Sequence, residues 1–459
     1  MKKALALLLA FCMVIALAAC GGAAPAASSE EAAPASSEAA APASSEEAAP
    51  ASSEEAAPAG DEEEVTLYVY IAGMDAPNAV HTILERFMEQ NPGITVELMD
   101  SQDGYFSTIL ATGDVPDLLN QPATEVLHAM VEDGLYADIS DTEAAKYVPD
   151  YYRETSTWDG KFFGIPQGAA FAAMYYNMDI LEKAGVTELP QNFDEFIDVC
   201  QKVTDAGYEA LTLPAAAETI SYMLFECIMA NEAGDDLGPG GIEEEFKNGT
   251  FDFSKYPGIV EKLEKLVPYI APGSTGQLDD DVQARMSSGD CAMLLGGNWM
   301  ATVYLNSIKE SSGEGKAAMG LPPFNDAGKD LWISVSPESI IGMAGTDASE
   351  AHLAARKALF EFFWAPEQYS LYQAERGCIP INTNLPLEAL ELPDEVKAVL
   401  PAQAAANGVL MGFNITTAEF RATSCAVLND AYSGNKPVQD AINELAALLP
   451  TSFFADGNS

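Results

Sequence analysis

The chain has 459 residues, too many for one ordinary domain and enough for a tether plus two lobes. Seventy acidic residues against 22 basic ones leave a net charge of −48, which argues against nucleic acid as a partner and against a basic patch for anionic lipid. The acidity reads as solubility and self-repulsion, while 48% apolar residues and four tryptophans are enough for a sizeable core.

At the start, Lys2 and Lys3 precede an apolar run from Ala4 to Ala18, the layout of a signal peptide. A membrane span needs roughly 20 apolar residues; this run is shorter and ends in small residues and a cysteine. Leu17-Ala18-Ala19-Cys20-Gly21 resembles the bacterial lipobox. The resemblance implies cleavage before Cys20, lipid on its thiol and acylation of the new N-terminus, and two or more acyl chains anchor a protein stably. Residues 1–19 are therefore read as signal peptide, and 20–64 as lipidated Cys20 plus a disordered Ala/Pro/Ser/Glu linker. From Gly21 to Glu64 there is no aromatic or basic residue, and prolines 34, 42, 50 and 58 recur every eight residues. Proline at that spacing breaks a helix, and no apolar face exists to bury, so an extended, self-repelling spacer is expected.

A folded pattern begins with a strand at 65–71, VTLYVYI. Val80, Ile83, Leu84, Phe87 and Met88 then mark one face of a helix, stopped by Asn91-Pro92-Gly93 before a second strand, ITVELM. A helix over 104–112, a strand at DVPDLL and a helix over 123–133 come next. This alternation predicts an α/β fold with helices on both faces of a sheet. Asp159-Gly160 between apolar runs predicts a hairpin. AAMYYNMD (172–179) reads as a strand entering a helix, and its tyrosine pair as core. Asn192 with Glu195 predicts a capping box over an apolar face of Phe193, Phe196, Ile197 and Cys200. Later helices are expected over 350–364, 366–376 and 437–449.

No phosphate-binding loop, HExxH, GxSxG or dinucleotide turn is present. His81, His128 and His352 lie in helical segments with no nucleophile beside them and read as surface residues. Carboxylates are too abundant for any pair to be informative, and Asp279–Asp281 lacks the spacing of a calcium loop. No CxxC pair exists, and Cys200 and Cys227 read as small core residues. No catalytic residue, metal or cofactor is expected.

Several segments come in a telling order. They are TGDVPDLL (112–119), WDGKFFGIPQGAAFAAMYYNMDILEKAG (158–185), MSSGDCAMLLGGNWM (286–300), LPPFN (321–325), AARKALFEFFWAPEQ (354–368), RGCIPINTN (376–384) and SGNKPVQDAINELAALL near the C-terminus. The ordered set resembles the solute-binding lipoproteins of carbohydrate ABC importers, the family that includes maltose-binding protein, over nearly all of 65–450. The resemblance implies a two-lobed periplasmic-binding-protein-like fold with mixed sheets, a hinge and a central ligand cleft. Lobe 1 would comprise 65–172 and 340–378, and lobe 2 173–339 and 379–459. It implies a monomeric binding protein, not an enzyme, that is anchored through Cys20 on the outer face of the cell membrane. That protein captures a sugar or oligosaccharide and delivers it to an ABC permease. The competing readings are an exported lipoprotein enzyme such as a glycoside hydrolase, a surface adhesin, and a binding protein for polyamine or peptide.

A sugar offers apolar C–H faces and a ring of hydroxyls, so its site needs aromatic plates and planar polar groups. Trp299, after Gly296-Gly297-Asn298, matches the family's stacking tryptophan. Asn120 and Gln121 lie just past DLL, where core packing would waste their amides. Asp75 matches a polar cleft position and could equally cap the helix starting near Asn78. Gln167 follows GIP near the first crossover. Glu419 and Phe420 resemble the segment holding a second stacking aromatic, with phenylalanine where tryptophan would be expected. Asn298 and Trp332 complete the candidates, while Trp158 and Trp364 read as structural.

Overall fold

The computed structural model describes residues 64–71, 76–99, 105–121, 125–153, 156–311, 315–376, 378, 380–381, 385, 392–410 and 416–449. The chain divides into two compact units, Met1–Gly60 and Asp61–Ser459. The first lies outside the described residues, and so do Cys20, the linker up to residue 63 and Asp75. The second unit holds all the described strands and helices.

Its strands, in chain order, are β1 (Val65–Tyr70), β2 (Ile94–Leu98), β3 (Leu118–Gln121), β4 (Thr157–Trp158), β5 (Lys161–Phe162), β6 (Ile165–Pro166) and β7 (Ala169–Asn177). They continue with β8 (Glu209–Thr212), β9 (Cys291–Gly297), β10 (Ala317–Gly320), β11 (Trp332–Pro337), β12 (Ile340–Met343) and β13 (Asn407–Leu410). One sheet runs β2-β1-β3-β12-β6, and the other β13-β11-β7-β9-β8 with β10 on β7. Both are mixed. In the first, β1 is parallel to β2 and β3, and β12 runs antiparallel to β3 and β6. In the second, β7 is antiparallel to β9, β10 and β11, and β8–β9 and β11–β13 are parallel.

The chain passes between the sheets where β6 gives way to β7, at Gln167-Gly168, and returns where β11 gives way to β12, at Glu338-Ser339. The sequence-based division sets these borders at 172/173 and 339/340. The two passages are stitched together: Gln167 N donates to Ser339 O at 2.9 Å, and Glu338 N to Gly168 O at 3.0 Å.

β7 explains itself by its alternation. Ala170, Ala172, Met174 and Tyr176 enter one core with Phe196, Leu211 and Met223. Ala169, Phe171, Ala173 and Tyr175 enter another, shared with Leu67, Phe87, Tyr304 and Phe360. A strand buried on both faces must be a continuous apolar run, and this one is.

Local signals act as their chemistry dictates. In the helix Pro77–Gln90, Val80, Ile83, Leu84 and Phe87 are buried, and the half-buried Met88 accepts a hydrogen bond from Val96 N through Sδ. β4 and β5 form the hairpin, with Asp159 at φ 49° and Gly160 at φ 73°, both positive as a type I′ turn requires. Asn192 Oδ1 accepts from Glu195 N at 3.1 Å, but the Glu195 carboxylate reaches Gln191 N, one residue earlier than a capping box needs. Asp279–Asp281 opens the helix Asp279–Ser288, where Asp281 accepts from Leu278 N and Asp279 from the Tyr304 hydroxyl. Negative charge at a helix N-terminus is favourable, so this acidic run has a structural role.

The histidines need a correction. His81 is exposed, but His128 is half-buried with its ring 5.6 Å from Trp158. His352 Nε2 lies 2.6 Å from Asp117, a buried carboxylate that also accepts from Tyr68 N and Arg356 Nε. That cluster pins the start of β3 to β1 and to the helix Glu350–Phe363, because a buried carboxylate needs such partners.

Candidate functional site

In the second sheet β7 starts, and β8, β9 and β11 end, at the same edge, the edge at which the chain leaves for the first sheet. In the first sheet, Ile340 pairs with both Gln121 and Pro166, so β3, β12 and β6 meet at the passages too. Five of the expected residues gather at this junction: Asn120, Gln121, Gln167, Asn298 and Trp299.

They do different things there. Asn120 is buried, and its Nδ2 donates to Ile340 O at 3.3 Å. Gln121 is 1% exposed, yet neither its Oε1 nor its Nε2 has a hydrogen-bond partner among the described residues. A buried amide in that state calls for a water, an ion or a ligand. Gln167 is held on all sides: its carbonyl accepts from the Tyr369 hydroxyl at 2.9 Å and from Gln373 Nε2, and its Oε1 from the Tyr372 hydroxyl. Asn298 is a clamp on β7, accepting from Phe171 N at 2.7 Å and donating to Ala169 O at 2.9 Å.

Trp299 is half-buried. Its indole folds back on the chain so closely that a Cβ at Gly297 would overlap the ring, and a Cβ at Gly296 would lie 2.7 Å from the Tyr304 ring. The two glycines are therefore required by close approach. Beneath them, the Tyr175 hydroxyl donates to Gly297 O at 2.8 Å. Burial pushes the Tyr175 and Tyr304 hydroxyls well above their usual pKa, so they stay neutral donors.

The remaining candidates lie elsewhere. Trp332 starts β11, five residues before the strand ends at the passage, roughly 15 Å along an extended chain. It is 3% exposed, packs on Gly234 and donates from Nε1 to Asp235 at 3.0 Å. Its indole is thus a core and hydrogen-bonding element of the second lobe. Phe420 is buried edge-on to Tyr222 at 5.9 Å, and Glu419 is an exposed carboxylate in the first turn of the helix Ala418–Tyr432.

Sequence reading missed the other half of the junction. Glu338 and Arg376 form a buried pair at 2.8 Å, with side chains 5% and 2% exposed. Tyr369, Tyr372, Gln373 and Arg376 fall at i, i+3, i+4 and i+7, a helical stripe of hydrogen-bonding groups that was open to inspection. Among the described residues no cluster of His, Cys, Asp and Glu is arranged to hold a metal ion. Cys227 and Cys291, both buried, have thiols pushed up to about 12 by burial, which makes them poor ligands and nucleophiles.

Two mixed sheets joined by paired passages, with polar and aromatic groups at the junction, define a two-lobed binding protein. Residues 74–369 match the model of the bacterial extracellular solute-binding protein family, and the chain belongs to that family. A Brucella abortus protein named as a binding protein is 24% identical, over 65% of this chain and 72% of its own. The maltotriose-binding protein of Pyrococcus abyssi is also 24% identical, over 65% of this chain and 62% of its own. A chitin oligosaccharide binding protein superposes with a TM-score of 0.72 at 19% identity, covering 84% of this chain and 98% of that one, and so shares the fold. The chain is a solute-binding protein of the ABC-importer type rather than an enzyme. No helix among the described residues is long and apolar enough to cross a membrane.

Proposed function

We propose that this protein captures a sugar or oligosaccharide between its lobes and delivers it to an ABC permease. The observations that carry the reading are Trp299, just past β9, and Gln121, the last residue of β3, each at the end of its sheet where the chain passes between sheets. A half-buried indole packs closely on Gly297, and a buried amide lacks a hydrogen-bond partner among the described residues. Carbohydrate needs that combination: an apolar plate for C–H groups and a planar donor–acceptor for hydroxyls. Relatives named for maltotriose and for chitin oligosaccharide point to the same ligand class. With the borders set at the two passages, lobe 1 is assigned 65–167 with 339–378, and lobe 2 the rest of the folded chain. The protein works as a monomer, tethered to the outer face of the membrane through lipidated Cys20.

A thermal-shift screen with maltotriose, chitin oligosaccharides, monosaccharides, polyamines and short peptides tests the ligand class, since a ligand that prefers the folded state raises its midpoint. A shift with carbohydrate that disappears in Trp299→Ala is expected; shifts with polyamine or peptide alone would overturn the sugar assignment. Labelling with a fatty-acid analogue, lost in Cys20→Ala, tests the anchor.

A further inference from the structure

The C-terminal half of one helix holds both the β6–β7 and the β11–β12 passages. The helix Pro366–Arg376 presents Tyr369, Tyr372, Gln373 and Arg376 on one buried face. The Tyr369 hydroxyl and Gln373 Nε2 both donate to the Gln167 carbonyl in the first passage, and the Tyr372 hydroxyl donates to the Gln167 side chain. Arg376 Nη1 donates to Glu338 Oε2 in the second passage at 2.8 Å, with its guanidinium over the Tyr372 ring at 5.2 Å. The Tyr369 hydroxyl also accepts from Ile381 N at 3.2 Å, just beyond the helix. On the outer side, Glu375 accepts from Asn78 N and Nδ2 and from Ala79 N, capping the helix Pro77–Gln90.

A buried ion pair adds little stability over apolar packing, but it penalises every arrangement in which it is parted. Bending between lobes is absorbed by a few residues that rotate their backbone at the passages. Two such passages among the described residues are Gln167-Gly168 and Glu338-Ser339, and one helix holds both. We propose that the C-terminal half of the helix Pro366–Arg376 sets the resting angle between the lobes, with Tyr372 and the Arg376–Glu338 pair as its positioning residues. Through Glu375 the same stretch of helix is tied to the helix Pro77–Gln90 of the first lobe. The consequence for solute affinity rests on the reading that solute is held between the lobes; the resting angle itself does not.

The test is a pulsed electron–electron distance measurement on the full chain without any solute, using genetically encoded spin labels. Exposed His81 and Lys247 report between lobes, and exposed His81 and Lys161 report within the first. Tyr372→Phe removes one hydroxyl and keeps the ring. It is expected to shift or broaden the inter-lobe distribution and leave the intra-lobe one unchanged, with Glu338→Gln producing a larger shift in the same measurement. Should Glu338→Gln fail to fold, Tyr372→Phe decides alone. An inter-lobe distribution identical to that of the parent chain, or a change in both pairs, overturns the proposal. Since no sugar is present, that failure is distinct from failure of the carbohydrate screen.

Discussion

Gln121 ends β3 in the first sheet, and Asn298 comes directly after β9 in the second. Both are amides, both are 1% exposed, and both sit at the junction between sheets. Yet Asn298 meets Phe171 N and Ala169 O, while Gln121 meets no hydrogen-bonding group among the described residues. The contrast teaches that a buried polar side chain beside a cleft can hold the wall or face the guest. Partner accounting, not residue type or burial, separates the two. The tryptophans divide the same way: Trp332 donates to Asp235 inside its lobe, and Trp299 lies half-buried on a glycine at the junction.

The strongest way to break this division is Trp299→Ala. Losing an aromatic plate of about 1.5–3 kcal/mol lowers carbohydrate affinity by about tenfold to a hundredfold. Isothermal titration with the sugar that gives the largest thermal shift would measure it. Trp332→Phe should leave that affinity unchanged, and an equal loss in both variants would erase the distinction between them.

Next in size, Asn298→Ala should destabilise the fold by about 2–4 kcal/mol, because two buried backbone groups of β7 lose their partner. Chemical denaturation measures this directly. Gln121→Leu should behave in the opposite sense. No protein hydrogen bond is lost, so stability holds or rises slightly, while carbohydrate affinity falls by roughly fivefold, about 1 kcal/mol. A denaturation midpoint for Gln121→Leu as low as that of Asn298→Ala would mean that Gln121 is part of the wall after all.

The pattern also marks what sequence could and could not reveal. β7, the Asp159-Gly160 hairpin and the helix Pro77–Gln90 were legible, since period-2 or period-3.6 apolar spacing and turn chemistry act locally. The convergence of Asn120, Gln121, Gln167, Asn298 and Trp299 was legible only as a resemblance. Their partners lie far along the chain, for example 220 residues away for Asn120 and Ile340. Trp332 stood as an additional candidate because nothing in a linear string says which end of β11 reaches the passage. Glu338 and Arg376 were overlooked because, among 70 carboxylates, a pair 38 residues apart carries no local mark.

The smallest effect concerns a carboxyl on the buried side of the same divide. Asp279 opens its helix against the Tyr304 hydroxyl, and burial holds its pKa above the usual carboxylate range, with the tyrosine hydrogen bond acting the other way. A folded-state pKa raised above the unfolded one favours the protonated carboxyl. Its contribution is therefore fully present at low pH and is lost as pH rises through the folded value. Asp279→Asn keeps an acceptor oxygen for the Tyr304 hydroxyl but never ionises. The variant's unfolding midpoint, taken relative to the parent chain, should thus be higher at pH 7 than at pH 4. A relative midpoint that stays constant across that interval, or falls with pH, would show that the Tyr304 hydrogen bond to the ionised carboxylate outweighs its desolvation, and that Asp279 belongs among the well-partnered groups.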